Sequence, residues 1–220
     1  RGIFRALVVI DWKMKWEAKY SHETQIENYG KRGLPWHGAL IVYFKVEEQS
    51  DGTRKAVRYQ HYVDQIMTGY AKQSAPAVGM MVEALQVVFE YQFPFIESFV
   101  LQSDQARCYS CSYLRVMLSM LNAMSKVKIT KYIHSGVQDG KGMIDAHFAV
   151  ATGHINRGLK QNPRNKVSAV CTEEGLYAAL ERPGLRNHSV QLVDFHSSHF
   201  ERIDAMIAPA LKLMARRRNY

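Results

Sequence analysis

The chain has 220 residues, 47% of them hydrophobic, which is enough for one substantial core and within the usual range of a single domain. Its 29 Lys and Arg outweigh 20 Asp and Glu, and the resulting formal charge of +9 favours a polyanionic partner. No apolar run approaches the roughly 20 residues of a membrane-spanning helix, the first residues lack the order of a signal peptide, and three cysteines make a poor disulfide framework. A soluble, intracellular protein in a reducing compartment is expected, and the start at Arg1 without an initiator Met implies a piece of a longer protein.

In chain order, the apolar run Ala6 to Ile10 predicts a buried strand that delivers Asp11 at its end. A polar stretch leads to Gly33 and Pro35. His37 to Glu47 then predicts a second strand, and the Asp51-Gly52 turn leads to a third from Lys55 to Ile66, completing an antiparallel meander. Apolar residues at helical spacing predict a helix from Ala75 to Phe93, stopped by Pro94. Glu97 to Gln102 reads as a strand running into Ser103-Asp104, Tyr113 to Met124 as a helix, and Val127 to His134 as a fifth strand.

Gly140 and Gly142 open a helix to about Gln161, in which Ile144, Phe148, Ala151, Ile155 and Leu159 share one face. Beyond Pro163 a helix from Glu173 to Glu181, a strand from Val190 to Phe195 and a helix from Glu201 to Arg218 are expected. The order β-β-β-α-β-α-β-α is that of a ribonuclease-H-like α/β fold, a mixed sheet of about five strands flanked by helices. It divides the chain into a core over 1–161 and an extension over 162–220 packed on it within one domain.

That order places acids after strand one (Asp11), after strand four (Asp104) and on the helix after strand five (Asp145). Two-metal phosphoryl chemistry needs such convergence, because hard Mg²⁺ prefers oxygen ligands and two ions roughly 4 Å apart carry four positive charges. An Asp at a strand end is also explained by its preference for turns, so each acid alone is weak. Their combination, with 41 residues from Asp104 to Asp145, carries the weight.

The stretches VVIDWKMK, FVLQSDQARCY and YIHSGVQDGKGMIDAHFA resemble the three signature blocks of eukaryotic cut-and-paste DDE/D transposases, in the retroviral-integrase-like superfamily. YGKRGLPWHG resembles the segment such transposases carry before their second strand, and the likeness runs from about Asp11 to Leu159. It implies a polynucleotidyl transferase or endonuclease. Asp11, Asp104 and Asp145 would hold Mg²⁺ or Mn²⁺, as two ions, for DNA cleavage and strand transfer at transposon ends by a nuclear protein that works as a homo-oligomer. The third acid is Asp where Glu is more usual, and no inserted domain separates Asp104 from Asp145. The rival readings are a domesticated transposase relic that binds DNA or proteins without catalysis, and another nuclease of the same fold.

Several other residues are candidates. Asp139 competes with Asp145 for the third position, but its loop setting suits turn formation or helix capping. His134 ends strand five near the expected site. Lys13, Lys15, Lys31, Arg32 and Trp36 offer cations for phosphates and rings for bases, and Lys141, Arg157 and Lys160 extend a basic surface along the catalytic helix. The same segment can equally be a solvated face with core aromatics. Cys108-x-x-Cys111 lacks the further ligands of a closed zinc site, so buried thiols on and before a helix are expected there. His147, two residues past Asp145, is expected to face solvent or the DNA backbone.

Overall fold

The computed structural model describes residues 4–13, 15–17, 33–136, 142–160 and 170–216. The elements are β1 (Phe4–Trp12), β2 (Trp36–Glu48), β3 (Arg54–Thr68), α1 (Ala75–Gln92), β4 (Ile96–Ser103), a short α2 (Arg107–Ser110), α3 (Ser112–Met124), β5 (Lys128–His134), α4 (Met143–Lys160), α5 (Glu173–Glu181), β6 (His188–Asp194) and α6 (Ser197–Arg216). One mixed sheet of six strands runs in the order β5-β4-β1-β2-β3-β6. The meander β1-β2-β3 is antiparallel, while β4 joins β1, β5 joins β4 and β6 joins β3 in parallel. This is the arrangement of a ribonuclease-H-like α/β fold, with one strand more than the five expected. The extra strand is the predicted C-terminal one, which closes the β3 edge and so belongs to the main sheet.

Strand period decides which side chains go to which face. Ala6, Val8 and Ile10 of β1, Ile41 and Tyr43 of β2, and Phe99 and Leu101 of β4 point into one core with α1, α3 and α6. Trp36 and Ile66 point the other way, into a second core with α4 and α5. Both faces are therefore covered, which the mixed sheet requires. The helices start where the local chemistry favours it. Ser74 caps α1, accepting from the Ala77 N–H with a proline in the first turn, and the Thr172 hydroxyl accepts from the Gly175 N–H at the start of α5.

The segment after β1 is stitched back by the Trp16–Leu34 bridge, and the Trp16 indole donates to the Val170 carbonyl at 3.3 Å. Among the described residues no helix is long and apolar enough to cross a membrane.

Candidate functional site

Two places on the α4 face of the sheet gather the chemistry. The first is the carboxyl end of β1 and β4. Their parallel register ends at Val9 opposite Gln102, and continuing it by two residues sets Asp11 opposite Asp104. Asp11 lies inside β1, paired with Gly38 of β2 and half-buried, so the strand runs two residues further than the apolar run implied. Asp104 is exposed just past β4, and its Oδ1 accepts the Ala106 N–H at 2.9 Å. The turn explanation for this residue is thus partly realised.

Asp145 is exposed in the first turn of α4. Its neighbours Ile144 and Phe148 lie directly over Gly38, where an added Cβ would meet Phe148 Cζ at 2.6 Å and Ile144 Cδ1 at 3.4 Å. Because Gly38 is the register partner of Asp11, α4 brings its first turn over the strand pair that carries Asp11.

His134 sits against the second acid. Its Nδ1 lies 3.1 Å from the Asp104 carbonyl and 3.2 Å from the Ser103 hydroxyl, which itself contacts the Tyr132 hydroxyl at 2.9 Å. A proton on that nitrogen donates to the carbonyl and steadies the turn that presents Asp104. On the opposite face of the sheet, Tyr109 is fully buried beside His37, and its hydroxyl is pushed well above the usual phenol range, chiefly by burial, with Asp11 and Asp104 adding to the shift. Burial, with a contribution from Asp104, also raises the Cys108 thiol to about 11.

The second place was not anticipated. Asp64 of β3 is fully buried, and its Oδ1 accepts the Trp36 indole N–H at 2.7 Å. Its Oδ2 meets His147 Nε2 of α4 at 2.9 Å and His188 Nε2 of β6 at 2.7 Å. Burial pushes the Asp64 carboxyl up, but the hydrogen bonds from both histidines outweigh this and hold it below the usual carboxylate range. This buried Asp/His/His group could hold a metal ion, since its three ligand atoms lie within 4.8 Å of one another. Among the described residues it is the group that meets that spacing; Asp11, Asp104 and Asp145 do not appear together in such a cluster.

Several expectations are corrected. His147 does not face solvent or DNA. It lies three residues after Ile144 and one before Phe148, inside the packed stripe, stacked on Tyr62 at 4.2 Å and buried with only 8% of its surface exposed. Trp36 is no base-stacking platform. It is wholly buried, edge-on to Phe148 and bonded to Asp64, and Trp16 beside it is also core, so the explanation of a basic face over core aromatics holds for these rings.

Lys13 is half-buried with its ammonium 5.3 Å from the Trp36 ring centre and 5.8 Å from that of Phe148, while Lys15 and Arg157 are exposed. Lys160 ends α4. Lys31, Arg32, Asp139 and Lys141 lie outside the described residues. Cys108 and Cys111 are free thiols packed on the first core, but half-buried rather than buried.

Asp64 carried a signal in the sequence: an acid in the buried phase of β3, between Tyr62 and Ile66. No protein-family model matches the chain, and no curated protein matches it.

Proposed function

We propose that this chain is a metal-dependent DNA strand-cleaving and strand-transferring core of the DDE/D transposase type, acting on DNA in the nucleus as a homo-oligomer. The observation that carries the reading is the parallel β1/β4 register, which ends at Val9 opposite Gln102 and, continued by two residues, sets Asp11 opposite Asp104, with Ile144 and Phe148 of α4 packed over the neighbouring Gly38 and Asp145 exposed in the same first turn. Brought together on a metal, Asp11, Asp104 and Asp145 would make an all-oxygen donor set, which suits Mg²⁺ or Mn²⁺. A pair of such ions supplies activation of the attacking oxygen and stabilisation of the leaving one.

The chain's own part is positioning. β1 and β4 hold Asp11 and Asp104 rigidly, His134 and the Ala106 N–H fix the Asp104 turn, and α4 sets the approach of Asp145. Lys13, Lys15 and Arg157 lie along the same face or helix and supply positive charge for phosphates.

A second reading, a transposase-derived DNA-binding or interaction domain without catalysis, is favoured by one fact: Asp104 already spends one carboxylate oxygen on its own turn. Cleavage of labelled DNA with Mg²⁺ or Mn²⁺ separates the two. The catalytic reading expects near-total loss of cleavage in Asp104→Asn and Asp145→Asn, partial loss in Asp139→Asn, and none of it in EDTA. Cleavage that persists in EDTA, or that survives Asp145→Asn but not Asp139→Asn, overturns the assignment. DNA binding by a wild type that never cleaves establishes the second reading.

A further inference from the structure

We infer that Asp64, His147 and His188 form a binding site for one transition-metal ion of the zinc class, which fastens α4 and β6 to β3. This site is independent of the carboxylates at the β1/β4 end. Asp64 lies two strands away from Asp11 in the same register row, through Gly38, and His147 points into the core while Asp145 faces out.

Three side chains from distant stretches of chain converge on one spot. The two imidazoles both turn their Nε2 atoms to the same carboxylate oxygen, and their side chains are 6% and 5% exposed while that of Asp64 is fully buried. Two imidazole nitrogens and one carboxylate oxygen make a donor set suited to Zn²⁺ and poorly suited to Mg²⁺, which prefers oxygen.

The spacing is close to what such an ion needs. Zinc–ligand bonds of about 2.0–2.2 Å in a tetrahedron separate ligand atoms by roughly 3.3–3.5 Å. The contacts of 2.7 and 2.9 Å would therefore open by about half an ångström, within reach of small rotations of the two rings. The outer shell is already built. The Trp36 indole fixes the second oxygen of Asp64, and Tyr62 stacks on His147 with an interplanar angle of 6°, so two of the three ligands are held in orientation by their neighbours. Three protein ligands leave one tetrahedral position without a protein donor, so binding should be weaker than at a closed four-ligand site.

The competing description is a metal-free knot in which both imidazoles donate to the carboxylate. Metal content distinguishes them. The purified chain is equilibrated with Zn²⁺, dialysed against metal-free buffer and assayed for zinc by mass spectrometry. The proposal expects about one zinc per chain, falling at least about tenfold in His188→Gln and His147→Gln and unchanged in Asp104→Asn and in a Cys108→Ser/Cys111→Ser double variant. Because the histidine variants could fail to fold, Co²⁺ is also added to the wild type. A tetrahedral visible spectrum without a thiolate charge-transfer band is expected. Wild type that retains no zinc, Co²⁺ that stays octahedral, or zinc that follows the cysteines overturns the site and leaves the knot.

Discussion

Asp11 and Asp64 occupy the same row of the sheet, on the same face, with Gly38 between them. At the usual spacing between strands they stand roughly 10 Å apart. Yet Asp11 is half-buried at an open sheet end, and Asp64 is completely enclosed and held by three nitrogen donors. The same residue type is given opposite environments by where α4 lands. Ile144 and Phe148 seat on the bare Gly38 backbone, His147 and Phe148 roof the β3 side, and Asp145 is left outside. A carboxylate that is to meet an exchanging ligand must stay accessible, whereas one that is to hold elements together must be enclosed and fully paired.

The largest expected effect tests this division directly. Asp64→Ala removes the acceptor of Trp36, His147 and His188 at once and leaves three buried donors unpaired. It should cost about 3–5 kcal/mol of stability, whereas Asp104→Asn, at an exposed turn, should leave the unfolding midpoint nearly unchanged. Chemical denaturation of both variants beside wild type checks it. Equal losses would show that the open end is as structural as the enclosed group. The pH dependence carries the matching sign. With its folded pKa below the unfolded value, Asp64 contributes stability that is fully present above the unfolded pKa and lost as pH falls through the lower folded one.

Much of this was legible in the chain itself. The apolar runs of β1 and β2, the Asp51-Gly52 turn and the 3.6-residue stripe of α4 predict their elements to within a few residues, and the helix expected from Glu173 to Glu181 is observed at those bounds. The element order implies the ribonuclease-H-like fold, and in that fold β1 and β4 are neighbours. The enclosed group did not follow. Asp64, His147 and His188 are separated by long stretches of chain, and only the β3–β6 pairing and the seat of α4 bring them together. Trp36 misled for a related reason: it sits among cations in the sequence, but its position in β2 turns it inward.

Gly38 is where the two regions divide, so filling it should disturb both. A Cβ at 2.6 Å from Phe148 Cζ cannot be accommodated without moving the ring or lifting α4, and Gly38→Ala should cost about 1–3 kcal/mol. Lifting α4 also displaces Asp145, so cleavage should fall by more than the stability loss explains, and pairing with Phe148→Leu should recover part of both. If cleavage is unaffected while stability drops, α4 does not set the position of the third acid.

The smallest effect concerns where DNA runs. If the open region alone meets the polyanion, changes inside the enclosed one must be silent in binding. Trp36→Phe removes an indole N–H bonded to a buried carboxylate and costs stability, but no surface that DNA can reach is altered, because the ring has no exposed area. Its DNA affinity and salt dependence should match the wild type at temperatures where it stays folded. Arg157 is the contrasting case, exposed on α4 and twelve residues beyond Asp145, about 18 Å along the helix axis. If DNA that reaches the acids continues along α4, Arg157→Ala should weaken binding only a few-fold without changing stability, and should reduce the slope of log affinity against log salt by roughly one, as loss of a single phosphate contact requires. Affinity titrations at three or four salt concentrations give both slopes. A shallower slope for Trp36→Phe would place DNA against the enclosed side, and an unchanged slope for Arg157→Ala would turn its path away from α4.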